Sequence, residues 1–310
     1  MEKKARVDGV LNGETVDRPP LSLWYHFGVQ HGSGKAFAET TLNYFDHYDF
    51  DFLKVMNDYF YPPPPGLEAI RNASDLQRLD RIAVTESAWQ EQFTAIGMIA
   101  RRLRNKAYFI DTVFDAWQSI NRNLAAENMT DLMEREPEAL LTALGRVNDN
   151  LIDYSKRVLS LGAAGIFLTI PAGAEILSRE QFNTFVKPFA RRLLEAVVPA
   201  SRMTTLHVHG RELFFEDVLD LPAPIFNWWD RGPQGPSLQW VKDRIDGCVM
   251  GGIDQTIVAR RTRAFLKDHV REALEMGGSQ RFFLANGCSI DTWTYPGAIE
   301  AIVRTARNPR

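Results

Sequence analysis

The chain has 310 residues, 45% of them hydrophobic and 24% charged, with a formal net charge of -3. That balance fits a globular enzyme with a sizeable core and offers no basic surface for nucleic acid. No apolar run reaches the length of a membrane span, no apolar signal region opens the chain, and two cysteines make no disulfide framework, so a reducing cytoplasm is the expected setting.

Apolar or β-branched runs predict strands at Leu21–His26, Asp51–Asn57, Tyr108–Val113, Gly165–Ile170, Thr204–His209, Pro224–Trp229, Gly247–Gly252 and Arg281–Asn286. Helical patterns lie between and after them, at Lys35–Tyr48, Thr85–Arg102, Pro137–Leu161, Arg179–Val198, Glu212–Leu219, Ser237–Arg244, Ile257–Gly277 and Gly297–Arg307. Ser178 with Gln181 three residues on has the form of a capping box, and Gly277-Gly278 marks a helix stop. Eight strands alternating with helices predict one (β/α)8 TIM barrel over residues 1–310. A doubly wound open sheet is the competitor, but no Gly-rich fingerprint follows the first strand. The run Pro62-Pro63-Pro64-Pro65 is too short for a linker and reads as a stiff loop.

Barrel active sites lie at the C-terminal ends of the strands. Those ends carry His26; Asn57, Asp58, Tyr59 and Tyr61; Asp111 and Asp115; Thr169 and Glu175; His207 and His209; Asn227, Trp229 and Asp230; Asp254; and Asn286 and Cys288. A purely structural chain explains apolar strands but not polar residues recurring at one end, so an enzyme is expected. His207 and His209 stand two apart on a strand and present both imidazoles to one side. With the Cys288 thiolate they form the kind of three-ligand set that a catalytic zinc uses, leaving a fourth position open. The bland reading is a hydrogen-bonded pocket histidine and a small packed cysteine. Asp58, Asp254 and His26 are candidate proton-handling groups, and Asn57, Tyr59, Tyr61, Asn227, Trp229, Asp230 and Asn286 candidate substrate contacts. Each carboxylate has a local alternative, as a helix cap, loop hydrogen bond or Asp–Arg pair. Cys248, within an apolar run, reads as core, and His31, His47 and His269 receive no role.

Several segments together resemble the uroporphyrinogen decarboxylase superfamily over essentially the whole chain. They are Arg6…Gly13-Glu14…Asp17-Arg18-Pro19-Pro20, Asp58, Leu177-Ser178…Phe182…Phe185-Val186…Pro188-Phe189, Gly252-Ile253-Asp254 and Asn286-Gly287-Cys288…Tyr295-Pro296. The resemblance implies a (β/α)8 barrel, matching the strand count reached independently. It has two branches. In the porphyrinogen decarboxylases a pair of arginines grips substrate carboxylates, but Tyr25 and Val29 fall at those places and neutralise nothing. In the corrinoid-dependent methyltransferases, which methylate thiols such as coenzyme M, zinc is held by a His-x-Cys pair and a distant Cys. His207 matches the histidine, Cys288 the distant cysteine, and His209 replaces the first cysteine.

The resemblance therefore implies a zinc methyltransferase that takes a small-molecule thiol, with a methylated corrinoid as donor. No corrinoid-binding Asp-x-His-x-x-Gly segment is present, so the corrinoid is expected from a separate protein or as free cofactor. The imidazole-for-thiolate exchange makes the zinc more Lewis-acidic and its thiolate less nucleophilic. The alternative is a metal-free decarboxylase or other lyase acting through Asp58; a third reading is a barrel that only binds a ligand. The resemblance also admits a homodimer.

Overall fold

The computed structural model describes residues 1–84 and 89–309. Seven strands, β1 (Phe52–Val55), β2 (Tyr108–Phe114), β3 (Gly165–Pro171), β4 (Thr205–His209), β5 (Ile225–Trp228), β6 (Cys248–Ile253) and β7 (Phe282–Asn286), form one all-parallel sheet in sequential order. The strands are buried on both sides, as parallel sheets require. Phe52, Ile110, Phe167, Ile225, Met250 and Phe283, from six strands, pack into an inner cluster on the concave side. Val7 and Val10, from the helix Lys3–Leu11, join it. Edge-on ring pairs stiffen this cluster, Phe52 with Phe283 at 5.6 Å and Trp24 with Phe167 at 5.4 Å. Such pairs add about 0.5–1.5 kcal/mol each beyond area burial. A larger cluster lies between the sheet and its outer helices, chiefly Gly34–Tyr48, Gln90–Leu103, Pro137–Ser160, Lys187–Val197, Arg263–Gly277 and Pro296–Arg307.

The eighth strand expected at Leu21–His26 is not formed. Leu21 makes a single parallel bridge to Leu284, with Leu284 N–H donating to the Pro20 carbonyl and Ser22 N–H to the Leu284 carbonyl. On the other side Asp51 N–H donates to the Leu21 carbonyl. The segment thus lies between β7 and the start of β1 without extended pairing. Pro19 and Pro20 have no N–H to offer a ladder. Further along, the Asn286 side chain takes over, accepting from Trp24 N–H and donating to the Trp24 carbonyl. The opening charged residues fasten this segment. Buried Asp51 accepts from Arg6, Arg18 and the Leu21 N–H, and Arg6 also grips Asp17.

Four helical expectations change. Residues 85–88, the start of the helix expected at Thr85–Arg102, lie outside the described residues; the helix runs Gln90–Leu103. Arg179–Val198 breaks into Arg179–Phe185 and Lys187–Val197. Pro188 lacks the N–H that a continuous helix needs there, and its ring would meet the carbonyl four residues back. Glu212–Leu219 reduces to a 3₁₀ turn at Phe215–Val218, because Glu212 takes a left-handed φ of 45°. Ile257–Gly277 begins only at Arg263, where the Thr262 side chain caps the Phe265 N–H. The capping box at Ser178 and Gln181 forms, and Gly278 (φ 68°) ends Arg263–Gly277.

Candidate active site

His207 and His209 end β4, with His207 buried and His209 partly so. Gly210 follows at φ 131°, and a Cβ there would lie 2.6 Å from the Gly173 backbone. That turn lets Ala172 N–H reach the His209 carbonyl and ties the end of β4 to the loop after β3. Cys288 arrives from the loop after β7. Gly287 makes this approach feasible, since a Cβ would meet the Trp228 carbonyl at 2.6 Å and Trp229 Cα at 2.7 Å. One ligand atom from each of His207, His209 and Cys288 falls within 4.8 Å of the others, and Cys288 Sγ lies 3.8 Å from His209 Nδ1.

Asn227 and Asn286 set the orientation. The Asn227 amide donates to the carbonyls of Met250 and Asn286, so its Oδ1 must face His207. His207 Nδ1–H donates to that oxygen at 2.6 Å, leaving Nε2 as the ring's free lone pair. Phe167 stacks on the same ring at 5.2 Å. Asn286 fixes the Trp24 backbone and donates to the Cys288 carbonyl. Both asparagines are fully buried and position other groups.

Charge in the cluster is redistributed. Burial opposes ionisation of Cys288, but hydrogen bonds and charge from His207 and His209 hold its thiol well below the usual range. The hydrogen bond to Cys288 raises His209, while burial lowers His207. A thiol whose ionisation is favoured by two neighbouring imidazoles is a group at which a cation can take the place of the proton.

A second constellation adjoins the first. His26 Nδ1–H donates to Asp58 Oδ1 at 2.6 Å, and Ser289 Oγ, next to Cys288 in sequence, lies 3.0 Å from His26 Nε2. His26, Ser289, His207, His209 and Cys288 all line one cavity of about 270 Å³, together with Trp24, Lys54, Phe114, Arg122 and Phe167. Another of about 290 Å³, lined by Glu175, Arg211, Trp229, Gln255 and Thr256, meets the first at His207, His209, Cys288 and Ser289. The first cavity draws on β1 to β3 and the second on the loops after β3, β4, β5 and β6, and the two meet at the cluster.

The remaining candidates separate. Asn57, Tyr59 and Tyr61 line an adjoining small cavity of about 40 Å³ that shares Thr112, Phe114 and Arg122 with the first. Asn57 donates there to Tyr154 Oη and to Asp111, whose buried carboxyl is pushed up to about 7. Asp254 Oδ1 accepts from Trp229 Nε1, Thr256 N–H and Thr256 Oγ, organising the loop after β6. Asp230 is buried, accepts from Gly252 N–H and is raised by burial to about 7. Cys248 is core, with burial pushing its thiol up to about 12. Lys54, Arg122 and Ser289 escaped the sequence reading. A lysine at the centre of the apolar run Phe52–Met56 was the available signal for the first.

The uroporphyrinogen decarboxylase (URO-D) family profile matches residues 2–309. The chain belongs to the uroporphyrinogen decarboxylase family. Among solved structures, a methyltransferase from Methanosarcina mazei is similar, with 18% identity and a TM-score of 0.78 over 100% of this chain and 99% of that one. A B12-independent methionine synthase from Shewanella sp. W3-18-1, solved with selenomethionine, is 11% identical with a TM-score of 0.62 over 94% of each chain. Those likenesses are of fold. No curated protein sequence matches the chain. Tyr25 packs against Phe27 and Tyr44 at 5.0 and 5.1 Å. Among the described residues no helix is long and apolar enough to cross a membrane.

Proposed function

We propose that this chain is a zinc-dependent methyltransferase that passes a methyl group from a corrinoid to a small thiol. The observation that carries the reading is the convergence of His207, His209 and Cys288 within 4.8 Å. The donor set fits zinc: two imidazoles and a thiolate, with His207 orientated by a buried amide as metal-bound histidines are. Tetrahedral zinc places its ligand atoms about 3.3–3.6 Å apart. Side-chain adjustment of at most about 1.2–1.5 Å at the widest pair would meet that spacing.

Held there, zinc would supply a Lewis acid at which a thiol loses its proton near neutral pH. The chain's residues do the rest. Asn227 keeps the His207 lone pair pointed at the centre. Ser289 and His26 offer the departing thiol proton a hydrogen-bonded path, with Asp58 accepting from the far side of the imidazole. Trp24, Phe114 and Phe167 provide apolar walls that exclude water. The sulfur then attacks the methyl carbon, and the bond from that carbon to the donor breaks with its electron pair leaving on the donor. Two cavities meeting at the cluster suit donor and acceptor approaching from different sides.

The second reading, a lyase acting through Asp58 without metal, is supported by the Asp58–His26–Ser289 series, which is complete without an ion. Metal content separates the two. The first reading expects about one zinc per chain, lost in the His209→Ala/Cys288→Ser double variant, and thiol methylation from a methylated corrinoid. A protein that stays zinc-free after supplementation overturns it and leaves the second.

A further inference from the structure

Lys54 has no part in the chemistry above, and its surroundings are unusual for a lysine. It lies on β1 between Phe52 and Met56, on their face of the strand, and is 5% exposed. An ammonium offers three N–H donors and asks for oxygen acceptors or water. Among the described residues its one hydrogen-bond partner is Met56 Sδ, and no carboxylate forms an ion pair with it. Phe167 and Trp24 present their rings 4.5 and 5.4 Å away. Burial in this setting favours the uncharged amine and draws Lys54 down to about 7, against the opposing pull of Cys288, Asp58 and Asp111. A neutral amine is a nucleophile.

The rest of the cavity suits that nucleophile. At about 270 Å³ it is smaller than the ~300–1,000 Å³ that drug-sized ligands occupy. Arg122 also lines it. This arginine is exposed, its guanidinium lies 3.6 Å over the Phe114 ring, and among the described residues it has no carboxylate partner. The Asp58 carboxylate acts on it only without direct contact, which leaves a planar cation of the shape that pairs with a carboxylate. Ser289 and His26 stand hydrogen-bonded in the same space.

We propose that Lys54 captures a small 2-oxo acid as an imine in this cavity, with Arg122 taking the acid's carboxylate. The Lys54 Nζ lone pair adds to the carbonyl carbon and the C=O π pair moves to oxygen. Both hydrogens of the amine leave with that oxygen as one water, carried by the Ser289–His26 pair. The sum is amine plus carbonyl giving imine plus water, with no change in oxidation state. This reactivity goes beyond methyl transfer and needs no metal.

The test uses the full chain, zinc-loaded and chelator-treated in parallel, incubated with pyruvate and then borohydride, followed by peptide mass mapping. One reduced pyruvate adduct on Lys54 is expected in both preparations and is absent in Lys54→Arg, which keeps a cation but cannot form the imine. Arg122→Gln is expected to raise the pyruvate concentration for half-labelling about 10-fold or more while leaving labelling by acetaldehyde unchanged. No adduct at Lys54, or equal labelling across surface lysines, overturns the proposal. Because the readout is a mapped adduct on wild-type protein, it stands apart from any result for zinc or methyl transfer.

Discussion

Asn227→Leu isolates the device that aims His207. Three hydrogen bonds vanish: 2.6 Å to His207 Nδ1, 2.8 Å to the Met250 carbonyl and 3.1 Å to the Asn286 carbonyl. All lie in fully buried surroundings, so the groups left behind gain no water. Each orphaned buried group costs about 1–3 kcal/mol, less where neighbours relax, so a stability loss of about 2–5 kcal/mol is expected. The imidazole also loses its tautomer constraint and its fixed orientation. Removing such a partner of a metal-bound histidine weakens metal affinity about 10–100-fold, or about 1.4–2.7 kcal/mol. Zinc competition against a chromophoric chelator reads the affinity, and urea unfolding of the metal-free protein reads the stability. Asn227→Ser, which keeps a hydroxyl acceptor, is expected to fall between wild type and leucine in both. A folded Asn227→Leu protein with wild-type zinc affinity would refute the assignment of His207 as a ligand through Nε2.

Lys54→Met is expected to stabilise the protein, with a pH signature of fixed sign. Burial lowers Lys54 from 10.5 to about 7, so between those values the unfolded chain binds the extra proton. Wild-type stability therefore rises with pH across that window, and the methionine variant's advantage is full below pH 7 and gone above 10.5; urea midpoints at several pH values check this. Ser178→Ala removes the capping box at Arg179–Phe185 and is expected to cost about 0.5–2 kcal/mol in thermal unfolding. His209→Cys adds a second thiolate to the cluster. Zinc should bind more tightly in competition titrations, and thiol methylation should become faster, because the less Lewis-acidic centre leaves a stronger nucleophile.

The seven strands were legible because buried parallel strands are short apolar runs, and each lies within about two residues of its expected position. The eighth failed for a side-chain reason. Two prolines withhold the N–H groups a ladder needs and the Asn286 amide pairs with Trp24 where backbone would otherwise do so, and neither effect is visible in hydropathy. The zinc-like triplet was legible from residue types, but its meeting depends on glycines 210 and 287 permitting close backbone approach. Asp58 and His26 were both named, yet their hydrogen bond and the link to Ser289 join segments far apart in the chain. Lys54 sits among apolar neighbours that fix a strand reading whether or not a charge lies between them, so only its residue type marked it.

The contact between Trp24 and Asn286 spans 262 residues. It holds the stretch that delivers Cys288, whereas His207 and His209 share one strand and need no such closure. A growing or partly folded chain therefore owns two imidazoles long before it owns the thiolate. Long-range closures of this kind form slowly. Cation loading would then act as a late seal on assembly: only a chain whose first and last segments have met presents all three donors, and an ion bound there disfavours their parting.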